Sequence, residues 1–210
     1  MMSEAATTHA GTLEDPAKRA QILEGAQSVF LAEGYEGASM SLIARAAGVS
    51  KGTLYVYFAN KEALFAAFIE AVCRRSTADA FEALSGAGPA RERLAAFGRL
   101  FLGFKLSPEP HAVERLVIGE SSKFPELGRA FYNAGPKHGI GLLTAFLRRR
   151  IEAGELNIDD PALAADQFIG LCLADLMLKR RMGVIETATP QRIGYIVDHA
   201  VDVFLKAYTA

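Results

Sequence analysis

An all-α protein of about nine or ten helices is what this 210-residue sequence predicts. Three observations lead there. Apolar residues recur at spacings of three and four along most of the chain. Prolines stand repeatedly at or just behind a capping residue. No convincing strand pattern, repeat period or low-complexity tract interrupts that grammar.

With 50% hydrophobic and 22% charged residues and a formal net charge of -1, the chain is globular and carries no overall basic excess toward nucleic acid or membrane. Residues 1–15 read as a polar, flexible tail with no signal peptide. Phe168 to Leu178, the most apolar later segment, is interrupted by Asp175 and is too short to cross a bilayer, so a soluble, cytoplasmic protein with no membrane partner is expected. Two distant cysteines, Cys73 and Cys172, sit in apolar helical contexts and fit a reducing compartment, where they act as buried small hydrophobes rather than metal ligands.

The first helix is expected from Pro16 to Glu33, capped by Asp15, ended by Gly34, with Ile22, Ala26, Val29 and Phe30 on one face and Glu33 at its edge. Ser39 opens Met40 to Ala47, which Gly48 stops. Ser50 opens the next helix, and Asn60 caps Lys61 to about Leu84, whose apolar side carries Leu64, Phe65, Phe68, Ile69 and Val72. Ser85 to Pro89 (SGAGP) is the clearest linker. Pro89, Pro108, Pro125, Pro136, Pro161 and Pro190 mark further starts; Pro136 to Ala153, Pro161 to Met182 and Pro190 to Tyr208 are the long helices. The domain reading is a tail (1–15), a short-helix head (16–63), a connecting helix (64–84) and a second helical domain (85–210).

Ser39 to Phe58 carries the most information. SMSLIARAAG, a Gly48-Val49 turn and SKGTLYVYF form a helix-turn-helix, although Thr53 to Phe58 has strand-like propensity. Ile43, Ala46 or Ala47, Val49, Leu54 and Phe58 are spaced to make its core over a floor of Val29 and Phe30, and Ala44 and Ala47 permit close approach. Phe30, Gly34-Tyr35, Ile43-Ala44, Gly48-Val49-Ser50, Gly52, Leu54-Tyr55, Phe58, Lys61-Glu62 and Leu64 together resemble the tetracycline-repressor (TetR) family of bacterial transcription regulators over roughly Gln21 to Phe68. Ile118 to Tyr132 (IGESSKFPELGRAFY) resembles the multidrug-efflux-regulator (AcrR-like) branch. Leu42 stands where the family usually has an acidic residue, so the capping box is missing, and Ser41 stands where a phosphate-reaching group is frequent.

The resemblance implies a ligand-responsive repressor that binds a near-palindromic double-stranded operator as a homodimer. Its recognition helix would run from Lys51 to Phe58. Lys51 and Thr53 would reach base edges or phosphates, and Val56 a thymine methyl. Gly52 would allow close backbone approach. The hydroxyls of Ser39, Ser50, Tyr55 and Tyr57, with Ser41 and Lys61, would meet phosphates. Arg45 is open between phosphate contact and a solvated surface. Within Pro16 to Ala63, five basic residues against four acidic ones predict modest, salt-sensitive non-specific binding.

For the second domain the resemblance implies a small-molecule pocket and a dimer. Phe104, Asn133, His138, Phe168, Cys172 and Asp175, with Gln167, are the expected pocket residues. Gly141, Leu142, Ala145, Phe146 and Arg149 on one long helix and Leu171 and Leu178 on the next are the expected dimer face. His111 and His199 are expected at the surface. An enzyme is the competing class. The sequence carries no Walker loop, nucleophile elbow, dinucleotide glycine pattern or metal-spaced cluster, so no cofactor is expected. A scaffold whose helix-turn-helix only packs is the third reading.

Overall fold

The computed structural model describes residues 15–209, except for the side chains of residues 75–77. The expected tail therefore lies almost wholly outside the described residues. Eleven α-helices follow one another: α1 (Pro16–Gly37), α2 (Met40–Ala46), α3 (Lys51–Tyr57), α4 (Lys61–Glu82), α5 (Ala90–Leu106), α6 (Pro108–Glu120), α7 (Pro125–Tyr132), α8 (His138–Glu152), α9 (Pro161–Leu173), α10 (Leu176–Arg181) and α11 (Pro190–Tyr208). No helix among the described residues is long and apolar enough to cross a membrane.

Side-chain caps set the N-terminal boundaries. Asp15 accepts from the Ala17 N–H at 2.9 Å, Ser39 from Leu42 at 3.2 Å, Ser50 from Thr53 at 2.9 Å and Asn60 from Ala63 at 2.8 Å. Each satisfies a helix-start donor that would otherwise lack a partner. Gly34 takes φ 73, which kinks the end of α1 and turns Tyr35 into the core.

Two expectations change. The predicted helix Pro161 to Met182 is two helices, α9 and α10, because Ala174 adopts φ 42 and breaks the ladder. That break is why the described residues hold eleven helices. Pro136 does not start α8; it sits inside a five-residue π-turn, Asn133–Lys137, that joins α7 to α8. A wide turn tolerates the missing N–H of proline.

Buried side chains form two clusters. One joins α1, α2, α3 and the first half of α4, and takes Val113, Val117 and Leu127 from α6 and α7. The aromatic rings of Phe30, Tyr35, Phe65, Phe68 and Phe124 pack at its centre, with centroid separations of 5.1 to 5.9 Å. The other joins the end of α4 to α5, α8, α9, α10 and α11 around Phe97, Phe146, Phe168 and Phe204. Each fully buried Leu, Ile or Phe contributes about 1.5–3 kcal/mol relative to exposure.

Candidate DNA interface and ligand clefts

The helix-turn-helix is held by a very close helix crossing. A Cβ built on Gly25 would stand 2.6 Å from both the Cβ and the backbone nitrogen of Ala47, so α1 and α2 meet where only glycine fits. Gln21 Nε2 donates to the Ala47 carbonyl at 2.7 Å, ending α2. Gly48, at φ 63, makes the turn, and the Val49 N–H donates to Ala44 O at 3.0 Å. Ile43, Ala47, Leu54 and Phe58 are buried and Val49 is half-buried, while Ala46 faces solvent. The Arg19 guanidinium lies 5.3 Å from the Phe58 ring centroid.

Burying Leu54 and Phe58 turns the opposite face of α3 outward. Lys51, Gly52, Tyr55 and Val56 are exposed, Tyr55 by 46% and Val56 by 66%. Ser50 and Thr53 share a hydroxyl hydrogen bond of 2.8 Å, and Lys51 Nζ lies 6.0 Å from the Tyr55 ring centroid. A Cβ on Gly52 would approach nothing closer than Ser50 Oγ at 3.8 Å, so no internal contact requires glycine there. Ser39, Ser41 and Arg45 are exposed beside α3. Tyr57 is half-buried, and its hydroxyl accepts from the Asp15 N–H at 3.1 Å while keeping its own proton to donate.

Lys61 corrects the sequence reading. Its ammonium donates to the carbonyls of Tyr35 at 2.8 Å, Ala38 at 3.0 Å and Glu36 at 3.5 Å, and it lies 4.4 Å from the Tyr35 ring centroid. With its three donors used on the kinked end of α1, this side chain ties α4 to α1 instead of reaching phosphate.

The second domain departs further. Phe168 and Cys172 are fully buried core residues, and burial pushes the Cys172 thiol up to about 12. Cys73 is half-buried rather than buried. Asn133 and His138 are exposed on the π-turn and the start of α8; Asp175 is exposed and ion-paired with Lys179. None of these, nor the half-buried Phe104, lines either of the two clefts described below. In the expected dimer set, Phe146 is buried inside its own bundle, with Arg149 and Arg150 over its ring, whereas Gly141, Leu142, Ala145, Arg149, Leu171 and Leu178 are exposed.

A cleft of about 530 Å3 opens where α1, α6 and α10 meet, lined by Leu31, Pro108, His111, Ala112, Arg115, Leu116 and Arg180. His111, expected at the surface, is only 5% exposed. Burial, and then the charges of Arg180 and Arg115, hold its imidazole below the ordinary histidine range and favour the neutral ring. Behind it, buried Glu114 accepts from Lys105 at 2.8 Å and from Arg181. Burial would raise this carboxyl, but the two cations outweigh that and hold it low. One signal was readable: Glu114 lies in the 110–113–114–117 stripe of α6, where an acid needs buried partners. The second cleft, about 520 Å3, lies between α9 and α11 against Gln167, Gly170, Leu171, Ala174, Val203, Phe204, Ala207 and Tyr208.

Comparison with known proteins agrees with this architecture. Residues 22–68 match the tetR family of bacterial regulatory proteins, and residues 92–210, more than half the chain, match the AefR-like transcriptional repressor C-terminal domain. A solved structure of the flavonoid-responsive regulator FrrA is 36% identical, with a TM-score of 0.81 over 93% of this chain and 98% of that one. An HTH-type transcriptional repressor of Mycobacterium tuberculosis is 29% identical over 87% of this chain and 90% of its own length. The regulator BetI of Rhizobium meliloti is 32% identical, over 55% of this chain and 57% of its own length. The chain belongs to the TetR family of bacterial transcriptional regulators and is a DNA-binding regulator rather than an enzyme.

Proposed function

We propose that this chain is a cytoplasmic, ligand-responsive repressor that binds a near-palindromic double-stranded operator as a homodimer and leaves it when a small-molecule effector binds. The outward face of α3 carries the reading: Lys51, Gly52, Tyr55 and Val56 are exposed together on a helix whose other face is locked by Leu54 and Phe58. In this reading Lys51 and Thr53 meet base edges and Val56 a thymine methyl. Gly52 lets the backbone approach closely. Ser39, Ser41, Ser50, Tyr55 and Tyr57 position the helix on phosphates. The same exposure argues against a helix-turn-helix that only packs.

For dimerisation, the exposed apolar residues favour α9 with α11 over the expected pairing of α8 with α9 and α10. Leu163, Leu171 and Val203 are exposed there beside the small residues Gly170, Ala174 and Ala207. FrrA responds to flavonoids, so flavonoids belong in the first effector screen. The test is a gel shift on the DNA upstream of the chain's own gene. A specific, salt-sensitive complex below micromolar protein is expected, weakened up to about tenfold by Tyr55→Phe. No specific complex below micromolar would refute the reading.

A further inference from the structure

Four of the seven residues lining the α1–α6–α10 cleft are apolar and three are cationic or donor-bearing. Leu31, Pro108, Ala112 and Leu116 are the apolar ones, and His111, Arg115 and Arg180 the others. His111 Nδ1 and Arg180 Nε are buried without a hydrogen-bond partner among the described residues. Glu114, the acid buried on the same helix, is already engaged by Lys105 and Arg181. The cleft therefore holds two guanidinium groups, Arg115 and Arg180, for which the described residues show no ion-pair partner. A buried polar atom such as Arg180 Nε is costly unless something satisfies it.

From this arrangement we infer that the cleft binds an amphipathic organic acid. Arg115 and Arg180 hold its carboxylate, and Leu31, Ala112 and Leu116 cover its apolar body, while the neutral ring of His111 adds no charge that the acid would have to displace. Arginine suits carboxylate because its planar fork can donate two parallel hydrogen bonds. The apolar part of the lining favours an organic acid over inorganic phosphate, and the volume falls within the usual range for small-molecule sites. The cleft also spans two bodies that matter to DNA binding. Leu31 belongs to α1 of the head, whereas His111 and Arg115 belong to α6. Gln27 of α1 donates to Glu109 of α6 at 2.9 Å, and Lys123, in the turn after α6, pairs with Glu36 of α1 at 2.7 Å. An acid that favours one placement of α6 against α1 would shift the population of head orientations. That consequence rests on the repressor reading; the binding itself does not.

Isothermal titration of the full chain with octanoate, octanol and inorganic phosphate tests the site. Octanoate is expected to bind, with octanol and phosphate at least about tenfold weaker, since each lacks one half of the recognition. Arg115→Gln and Arg180→Gln are each expected to weaken octanoate by about tenfold or more. Arg115 is exposed, so its variant carries the test if the Arg180 variant fails to fold. Octanoate that does not bind at millimolar concentration, or binds both variants as well as the parent, would overturn the site. Phosphate binding as tightly as octanoate would overturn the ligand class. A gel shift with octanoate then separates the two levels. Release of DNA supports an effector role, and intact DNA binding with intact octanoate binding overturns that role while the site stands.

Discussion

The DNA-binding head and the C-terminal bundle end their helices by different means. In the head, all four helix starts are capped by a side chain: Asp15, Ser39, Ser50 and Asn60. In the bundle, only α9 and α11 have one, from Asp160 and Thr189; α5, α6, α7, α8 and α10 have none. Helices of seven residues, such as α2 and α3, are far below the length that holds itself in water, so local caps and turns must define them. Five of the seven bundle helices, six-residue α10 included, start without a side-chain cap and take their limits from packing. The head is thus locally specified, and the bundle is specified by contacts between distant segments.

The sharpest way to break this comparison is at Gly25, where the head depends on a contact across sequence. Gly25→Val forces a branched side chain into the Ala47 backbone. A loss of about 3 kcal/mol or more is expected, with loss of operator binding, read by thermal unfolding and gel shift. An unchanged melting temperature would mean that the α1–α2 crossing yields easily.

This contrast explains what the sequence made legible. The caps, the Gly48 turn and the Leu54–Phe58 spacing are all readable within a few residues, and they specify which face of α3 turns outward. Gly25 escaped because its meaning lies 22 positions away, at Ala47. In the second domain, polar residues that interrupt apolar faces are the pocket residues the sequence predicts. Asn133, His138 and Asp175 instead face solvent, whereas Gln167 lines the α9–α11 cleft, and the α1–α6–α10 cleft is lined by the unpredicted His111, Arg115 and Arg180. Periodicity reveals that a helix has a buried face but not which neighbour covers it, so neither α1 against α6 nor α10 beside them could be read.

Lys61 gives the second prediction, of intermediate size. As a phosphate contact, it would lose DNA affinity on truncation with stability intact. As the clamp on the Tyr35 and Ala38 carbonyls, Lys61→Ala should cost about 1–3 kcal/mol of stability instead. Thermal unfolding beside operator titration well below the melting temperature separates the two. Undiminished stability with weakened DNA binding would restore the phosphate role and leave the kinked end of α1 held by other contacts.

The smallest effect has the opposite sign. In the head, both backbone positions with positive φ are glycine, Gly34 and Gly48, and the chain bends there without steric cost. The bundle turns at glycines too, Gly88, Gly154 and Gly183, but it also bends at Ala174, with φ 42 and ψ -133, where an alanine Cβ is strained. Glycine there relieves about 1–2 kcal/mol of backbone strain but adds freedom to the unfolded chain, which costs about 0.4–1 kcal/mol. Ala174→Gly is therefore expected to raise stability by up to about 1.5 kcal/mol, seen as a slightly higher melting temperature. A fall would show that the α9–α10 break is not strained as built, and the contrast between a head bent only at glycines and a bundle with one bend under strain would fail. A rise would mark the break as a strained joint beside the α9–α11 cleft, held because packing on either side outweighs the local preference for one continuous helix.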